Sequence, residues 1–371
     1  MLRYKEIKNQ LLEMLPDMNP GQRLPSRPVL CKALDTTRTT LDKAIRELEE
    51  EGLLVSRKGS GTCVVGMIEG ATPTVENWCV IIPSVMEDIY PGLVRGIENV
   101  AQRKNINVIL CNSDNDTEKQ EKYIKRLMVS GVAGFIIVPV ILHSIEENAR
   151  LYGSLCKSNI PFVFCNRGVE GICAPVVTSN DFYGGYIATK HLIEKGYRHI
   201  AYIAKTKYRT SMDRCQGYIS ALLENGMEIN RRLIVMPTEI SGDVSAYAAA
   251  ARLLASGEEI DAVFCFNDYV ALDVCRAIRE AGLRVSGDVG IIGYDDITAC
   301  GSCLPALTSV CYKNIEIGEK AAELLWDMSH NLPPNSNFEY YLYQPSIVDR
   351  CSCLGPEADP PCSKQDENGV L

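Results

Sequence analysis

From Trp78 onward the chain repeats one pattern, a short and almost wholly apolar run followed by a stretch of about 10–15 residues with helical spacing. The runs are WCVIIP, INVILC, GFIIVP, PFVFC, HIAYIA, AVFCF and VGIIGY. A strand that is apolar at consecutive positions is covered on both faces, which is the mark of a parallel sheet flanked by helices. About 270 residues of this alternation exceed one sheet with its core and predict two lobes of doubly wound parallel sheet. In such sheets ligands bind beyond the carboxyl ends of the strands.

The first 66 residues follow a different pattern. Ile7, Leu11, Leu12 and Leu15 share one helical face, and Pro16, Pro20 and Gly21 end that helix. A short second helix fits Val29 to Leu34. In the third, Thr37 stands at the cap and Leu41, Ala44, Ile45 and Leu48 recur at i, i+3, i+4 and i+7, with Gly52 as the stop. Two β-rich runs then flank Lys58-Gly59-Ser60-Gly61, a hairpin signal. Three helices and a hairpin make a winged helix. Arg38, Thr39 and Thr40 open the third helix off its apolar face, where a helix N-terminus offers N–H groups to phosphate and side chains to base edges. Arg57 and Lys58 add charge to the wing, and its glycines permit close backbone approach.

Charge and cysteine content restrict the alternatives. The chain has 371 residues and a net charge of −9, yet residues 1–66 carry 11 Lys and Arg against 9 Asp and Glu. DNA contact therefore falls to the N-terminal segment, because the acidic remainder repels nucleic acid. No run of about 18 apolar residues reads as a membrane span, and the charged N-terminus MLRYKEIKNQLLEML does not read as a secretory signal, so a cytosolic protein is expected. The 16 cysteines are read as reduced thiols. Cys300-x-x-Cys303 and Cys351-x-Cys353 have ligand-like spacing, but no His is close in sequence and no metal or other cofactor is expected.

Polar residues gather after the strands of the large region. They are Asn166 and Arg167 after PFVFC, Asn180 and Asp181 after PVVTS, Asn267 and Asp268 after AVFCF, and Asp295 and Asp296 after VGIIGY. Arg214 opens an R-x-x-G step into a helix. Amides, carboxylates and a guanidinium recognise paired hydroxyl groups, although any one Asn or Asp could equally cap the helix that follows.

Motif order adds to this. PGQRLPSRPVL, TTRTTLDKAIRELEEEGLL and RKGSGTCV resemble the head of the GntR family, in family order and spacing. That resemblance implies DNA contacts from Arg27, Thr37, Arg38, Thr39, Thr40 and Lys43, and from Arg57, Lys58, Gly59, Ser60 and Gly61 in the wing. The sequence departs from the family at Pro28, which stands where a DNA-contacting Arg is usual, and at Asp42, where a basic residue is common. SDNDTEKQ, GVAGFIIVP, IPFVFCNR, RCQGYISALLENG, DAVFCFNDYVAL, VGIIGYDD and the closing PSIVDRCSC resemble the LacI family effector domain. This implies a periplasmic-binding-protein-like fold with two lobes, three crossovers and a ligand in the cleft. Asn166, Arg214, Asn267 and Asp295 match its effector positions, and Asp181 and Asp268 complete the candidate set. The combination is similar to the arabinose-repressor subgroup.

The expected organisation is a DNA-binding head over 1–66, a linker over 67–77, an effector domain over 78–353 and a flexible tail over 354–371. The expected function is a repressor whose affinity for operator DNA responds to a mono- or disaccharide, acting as a homodimer. The rival is a sugar-binding protein with no DNA role. An enzyme is not expected, since four His and the absence of HExxH or GxSxG leave little for catalysis.

Overall fold

The computed structural model describes residues 3–14, 22–50, 53–57, 61–64, 76–140, 144–204, 209–236, 245–330 and 339–356. The chain divides into two compact units, Met1–Val75 and Glu76–Leu371.

The smaller unit contains α1 (Arg3–Met14), α2 (Arg27–Ala33), α3 (Arg38–Glu50), β1 (Leu54–Arg57) and β2 (Gly61–Val64). Its core is the predicted stripe of α3, Leu41, Ala44, Ile45 and Leu48, closed over Ile7, Leu11, Leu30, Leu54 and Val64. Thr37 caps α3, since its Oγ1 accepts the Thr40 backbone N–H at 3.4 Å and lies 2.8 Å from the Thr40 hydroxyl. The hairpin is antiparallel, with Arg57 opposite Gly61 as its last pair. Gly61 has φ +78°, a value that favours glycine. The segment before α2 adds a third edge that sequence patterning missed. The Leu24 N–H donates to the Thr62 carbonyl and the Val64 N–H to the Gln22 carbonyl, both at 2.9 Å. Leu15, Gly52, Lys58, Gly59 and Ser60 lie outside the described residues.

The larger unit has two six-stranded sheets. The strands are β3 (Asn77–Ile82), β4 (Asn107–Asn112), β5 (Gly134–Ile137), β6 (Phe162–Cys165), β7 (Val176–Ser179), β8 (Ile200–Ile203), β9 (Ile234–Val235), β10 (Ala262–Cys265), β11 (Gly290–Asp295), β12 (Thr308–Cys311), β13 (Tyr340–Tyr343) and β14 (Ser346–Val348). The first sheet runs β13-β7-β6-β5-β3-β4 and is wholly parallel. The second runs β14-β12-β11-β10-β8-β9 and is parallel except at β14. Six of the seven apolar runs seen in the sequence are strands buried at nearly every position, whereas INVILC is the edge strand β4, where only Cys111 is buried and the expected cover on both faces is missing. The strand β3 opens at Asn77, one residue inside the stretch read as linker. At the other end, the Leu354 N–H donates to Ser286 Oγ at 2.9 Å and the Gly355 N–H to the Tyr197 hydroxyl at 3.1 Å, so the chain is held beyond Cys353.

The helices are α4 (Ile89–Arg103), α5 (Thr117–Val129), α6 (Ile145–Cys156), α7 (Asp181–Glu194), α8 (Arg209–Glu224), α9 (Ala246–Leu254), α10 (Asp268–Glu280) and α11 (Asn314–His330). The chain passes between the sheets three times, from β7 to α7, from β12 to α11, and from β13 to β14. In each lobe a helix pair packs at backbone distance, α4 on α11 and α7 on α8. Glycines permit it. A Cβ on Gly96 would meet the Ile315 carbonyl oxygen at 2.1 Å, and one on Gly185 would meet the Arg214 carbonyl oxygen at 2.1 Å.

The spacing of α7 and α8 therefore rests on the missing side chain at Gly185. Gly185→Ala is expected to destabilise the larger unit by about 1–3 kcal/mol through overpacking. At Gly153 in α6 an added Cβ meets nothing within 4 Å, so Gly153→Ala is expected to stabilise by roughly 0.5–1 kcal/mol from helix propensity alone. Urea unfolding of the two variants beside the parent checks both signs.

Candidate functional site

A cleft of about 420 Å³ opens at the carboxyl ends of the strands, within the range of roughly 300–1,000 Å³ usual for small-molecule sites. One wall comes from the first lobe: Pro83, Met86, Glu87, Ile89 and Tyr90 after β3, Asn115 after β4, and Asn166 and Arg167 after β6. The other comes from the second lobe: Thr210 and Arg214 of α8, Phe266, Asn267 and Tyr269 around the start of α10, and Asp295 at the end of β11. The lobes also touch directly. Asp88 Oδ2 accepts the Thr298 N–H at 3.2 Å, and the Asp88 N–H lies 3.5 Å from the Tyr269 hydroxyl.

Arg214 organises the second wall. Its side chain is buried, with Nε donating to Asp181 Oδ1 at 2.7 Å and Nη1 to the Phe266 carbonyl at 2.5 Å. Its guanidinium lies 3.5 Å from the centroid of the Tyr294 ring and 4.7 Å from that of Phe266. Burial opposes its charge, but Asp181, Tyr294 and Asp295 together raise its pKa above the ordinary value and keep it cationic. Its Nη2 points to Asp295 Oδ1 at 3.9 Å, too far for a hydrogen bond. That buried oxygen has no hydrogen-bond partner among the described residues. Burial pushes the Asp295 carboxyl well above its usual range despite Arg214. Asp295 has φ +104°, Asn166 φ +68° and Asn115 φ +57°, so three cleft residues hold the left-handed backbone that non-glycine residues seldom adopt. Asn166 is fixed by the Tyr312 hydroxyl, which donates to its Oδ1, and by Thr178, which donates to its carbonyl at 2.6 Å.

Four of the six residues singled out for the effector thus line one cleft: Asn166, Arg214, Asn267 and Asp295. Asp181 and Asp268 are not among its lining residues, and both are buried behind the wall. The sequence Asn-Asp occurs at the start of both α7 and α10, and the two residues divide the work identically. The Asn side chain caps the helix, with Asn180 Oδ1 accepting the Tyr183 N–H and Asn267 Oδ1 the Val270 N–H, each at 3.0 Å. The Asp turns inward. Asp181 holds Arg214. Asp268 accepts the Ser309 hydroxyl at 2.6 Å and the Ile297 N–H at 3.0 Å, fixing the chain as it leaves β11. The reading of Asp268 as a possible cap is corrected in the same way, because Asn267 occupies the cap. Sequence reasoning missed Glu87, Tyr90 and Tyr269. The loop after WCVIIP obeys the same strand-end rule and would have brought in the first two.

In the smaller unit Arg38 is exposed, its Nε 3.7 Å from Asp42 one turn on. Thr39 is exposed beside it, and Lys43 lies over the Tyr4 ring, 4.0 Å from its centroid. Arg27 is engaged within the unit, with Nε donating to Asp42 Oδ1 at 3.1 Å and Nη1 to Thr62 Oγ1 at 2.5 Å. It ties α2 to α3 and to the hairpin.

Burial raises the Asp268 carboxyl from 3.8 to about 6, with Ser309 and the Ile297 N–H opposing the shift. A carboxyl whose pKa is higher in the folded state favours folding when protonated. That contribution is complete below about pH 4 and is lost as the pH rises through 6. The stability deficit of Asp268→Asn should therefore be larger at pH 4 than at pH 7, by about 2–3 kcal/mol. Unfolding free energies of variant and parent at the two pH values measure this, and equal deficits would show that Asp268 ionises as an ordinary carboxyl.

Comparison with known proteins agrees with these features. The family described as "Bacterial regulatory proteins, gntR family" matches residues 3–64, and that described as "Periplasmic binding protein-like domain" matches 189–353. The chain is 28% identical over 354 residues to the arabinose metabolism transcriptional repressor of Geobacillus stearothermophilus, covering 94% of this chain and 97% of that protein. It is 31% identical over 337 residues to the HTH-type transcriptional repressor PurR of Proteus mirabilis, covering 88% and 91%. Among solved structures, a LacI family transcriptional regulator from Enterococcus faecium with bound ribose aligns at a TM-score of 0.62 and 28% identity, covering 76% of this chain and all of that one. No helix among the described residues is long and apolar enough to cross a membrane. The chain therefore belongs to the LacI family of transcriptional repressors and is a DNA-binding regulator rather than an enzyme.

Proposed function

We propose that the chain is a sugar-responsive repressor with a GntR-type head. The head (1–66) reads operator DNA, the linker (67–77) carries it, and the domain over 78–353 takes a mono- or disaccharide in its cleft, with a tail beyond. The protein acts in the cytosol as a homodimer, because one winged helix covers too few base pairs for specificity and two-fold symmetry doubles the readout. The observation that carries the sugar reading is the buried Asp295 oxygen without a hydrogen-bond partner, set beside the cationic Arg214 at a cleft bordered by Asn166 and Asn267. A ligand hydroxyl donates to the first and accepts from the second, which supplies the hydrogen bond that the buried carboxylate oxygen needs. Tyr90, Phe266 and Tyr269 supply the apolar faces on which a sugar ring packs. The relative named for arabinose metabolism and the ribose-bound structure point to a pentose as the first ligand to test. In the head, Arg38, Thr39 and Thr40 meet base edges and phosphate, with Thr37, Lys43 and the wing residues Arg57, Lys58, Gly59, Ser60 and Gly61 in support. Arg27 acts mainly by bracing the helices through Asp42 and Thr62.

The test uses a duplex site selected by the purified protein from random DNA. Arg38→Ala should weaken that complex by about 1–3 kcal/mol and leave pentose binding unchanged. Asp295→Ala should hold the duplex as the parent does and lose about 2 kcal/mol or more of calorimetric affinity for the pentose. In the parent, saturating pentose should shift duplex affinity by about 1–3 kcal/mol, and the duplex must shift pentose affinity by the same factor. An affinity for DNA that is flat across a titration with a proven ligand would overturn the coupling.

A further inference from the structure

Cys351 and Cys353 have ligand-like spacing, and the fold supplies the histidine that their sequence neighbourhood lacks. His191, on α7, lies beside Asp349 and Cys353 on the segment that follows β14. One ligand atom from each of the three lies within 4.8 Å of the others. His191 Nε2 is 3.4 Å from Asp349 Oδ1, against about 3.3 Å expected between two ligands of a tetrahedral zinc with bonds near 2.0 Å. That imidazole nitrogen is buried and has no hydrogen-bond partner among the described residues. We propose that His191, Asp349 and Cys353 form a binding site for a borderline-soft divalent cation of the zinc type, clamping the C-terminal segment to α7.

The chemistry of the donors suits this. Imidazole, carboxylate and thiol are the three side-chain classes that zinc selects, and three protein ligands leave a fourth position to water. Burial lowers the His191 pKa, so the ring is held in the neutral form that ligates metal. Burial raises the Cys353 thiol to about 11, so without a cation the sulfur keeps its proton, and on binding it releases that proton to solvent. Lys195 Nζ donates to the other carboxylate oxygen, Asp349 Oδ2, at 2.8 Å. It can retain that bond while Oδ1 turns to the metal, orienting the ligand as an outer partner does. One carboxylate and one thiolate neutralise the dication, and the Lys195 charge stays at the rim, where it is partly exposed. The site does not overlap the cleft-lining residues, and the inference stands independently of the sugar reading.

Co²⁺ is the probe, because a cobalt–thiolate bond gives a charge-transfer absorption band and the chain has other cysteines that must be told apart from Cys353. The full-length parent, reduced, is titrated with Co²⁺ beside Cys353→Ser and His191→Gln. The parent should give the band at one equivalent, Zn²⁺ should remove it, and Zn²⁺ should raise the Tm. Cys353→Ser should lose the band. His191→Gln should weaken Co²⁺ binding by at least about tenfold, the lower bound even for outer partners, and should abolish the Zn²⁺ shift in Tm. A parent without the band would overturn the site, as would variants that bind Co²⁺ and respond to Zn²⁺ as the parent does. In that case the three residues are only an ion-paired clasp. If Cys353→Ser does not fold, His191→Gln decides by the same two readouts.

Discussion

A guanidinium removed from water needs a partner on every side, and Arg214 has one on every side except that facing the cleft. Asp181 takes Nε, the Phe266 carbonyl takes Nη1, and the faces are covered by Tyr294 and Phe266. Breaking a buried pair by removing one member costs about 3–5 kcal/mol, because the other charge is left stranded. The surrounding architecture therefore has to keep α7, α8, β10 and β11 in register to within a hydrogen bond. Gly185 and Gly217 do so by letting α7 and α8 approach at backbone distance, which sets Asp181 against Arg214. Rigidity at this corner holds the remaining nitrogen, Nη2, 3.9 Å from the Asp295 oxygen that has no hydrogen-bond partner among the described residues.

The opposite wall is positioned by the crossings between the lobes. Tyr312, within the second crossing, reaches Asn166 and Thr178 of the first lobe, and Ser179 at the first crossing meets Tyr294 at 3.3 Å. The Asn180 N–H donates to the Tyr343 carbonyl at 2.8 Å, which joins the first crossing to the third. The hinge is thus a packed polar cluster rather than three loose strands; Asn166 is bonded into it directly, and Asp295 follows Tyr294, which meets Ser179. A ligand that bridges Asn166 and Asp295 acts on the hinge directly. The contacts of Asp88 with Thr298 and Tyr269 lie across the same opening, and they are few and partly exposed. In the proposed function, their exchange for ligand contacts would be a change of about the size that allosteric coupling requires, a few kcal/mol at most.

Much of this was legible in the sequence, for definable reasons. A strand covered on both faces has no choice but a continuous apolar run, so β3, β5, β6, β8, β10 and β11 announced themselves. The stripe of α3 did so because one helix face closes the whole core of the smaller unit. By contrast β9, β13 and β14 have two to four residues and are only partly buried, so no run marks them. The strand-end rule found Asn166, Arg214, Asn267 and Asp295, but it treats neighbours alike. Asn267 and Asp268 are adjacent, but Asn267 is the extended cap residue and Asp268 the first residue of the helix, which places one at the cleft and the other against Ser309. Likewise nothing local linked Cys353 to His191, which the fold brings together across two crossings of the chain.

The head raises a separate question of how so little charge could serve DNA recognition. Its excess of two positive charges makes non-specific attraction weak, since that term scales with the number of phosphates neutralised. Asp42 reduces it further by lying against both Arg27 and Arg38 on the helix that the proposed function places in the groove. The two pairings differ in kind. Arg27 is enclosed by Asp42 and Thr62 and is part of the frame. Arg38 is 81% exposed, and its 3.7 Å contact with Asp42 is a surface pair worth about 0–1 kcal/mol, readily exchanged. On a wrong sequence, Arg38 gains little more than it gives up and the acidic Asp42 is left near phosphate. Under the proposed contact, a guanine would offer it a bidentate pair that outweighs the loss. If α3 reads the groove as proposed, an acidic residue on it would lower affinity everywhere but least at the correct site, which is how a small repulsive element increases specificity.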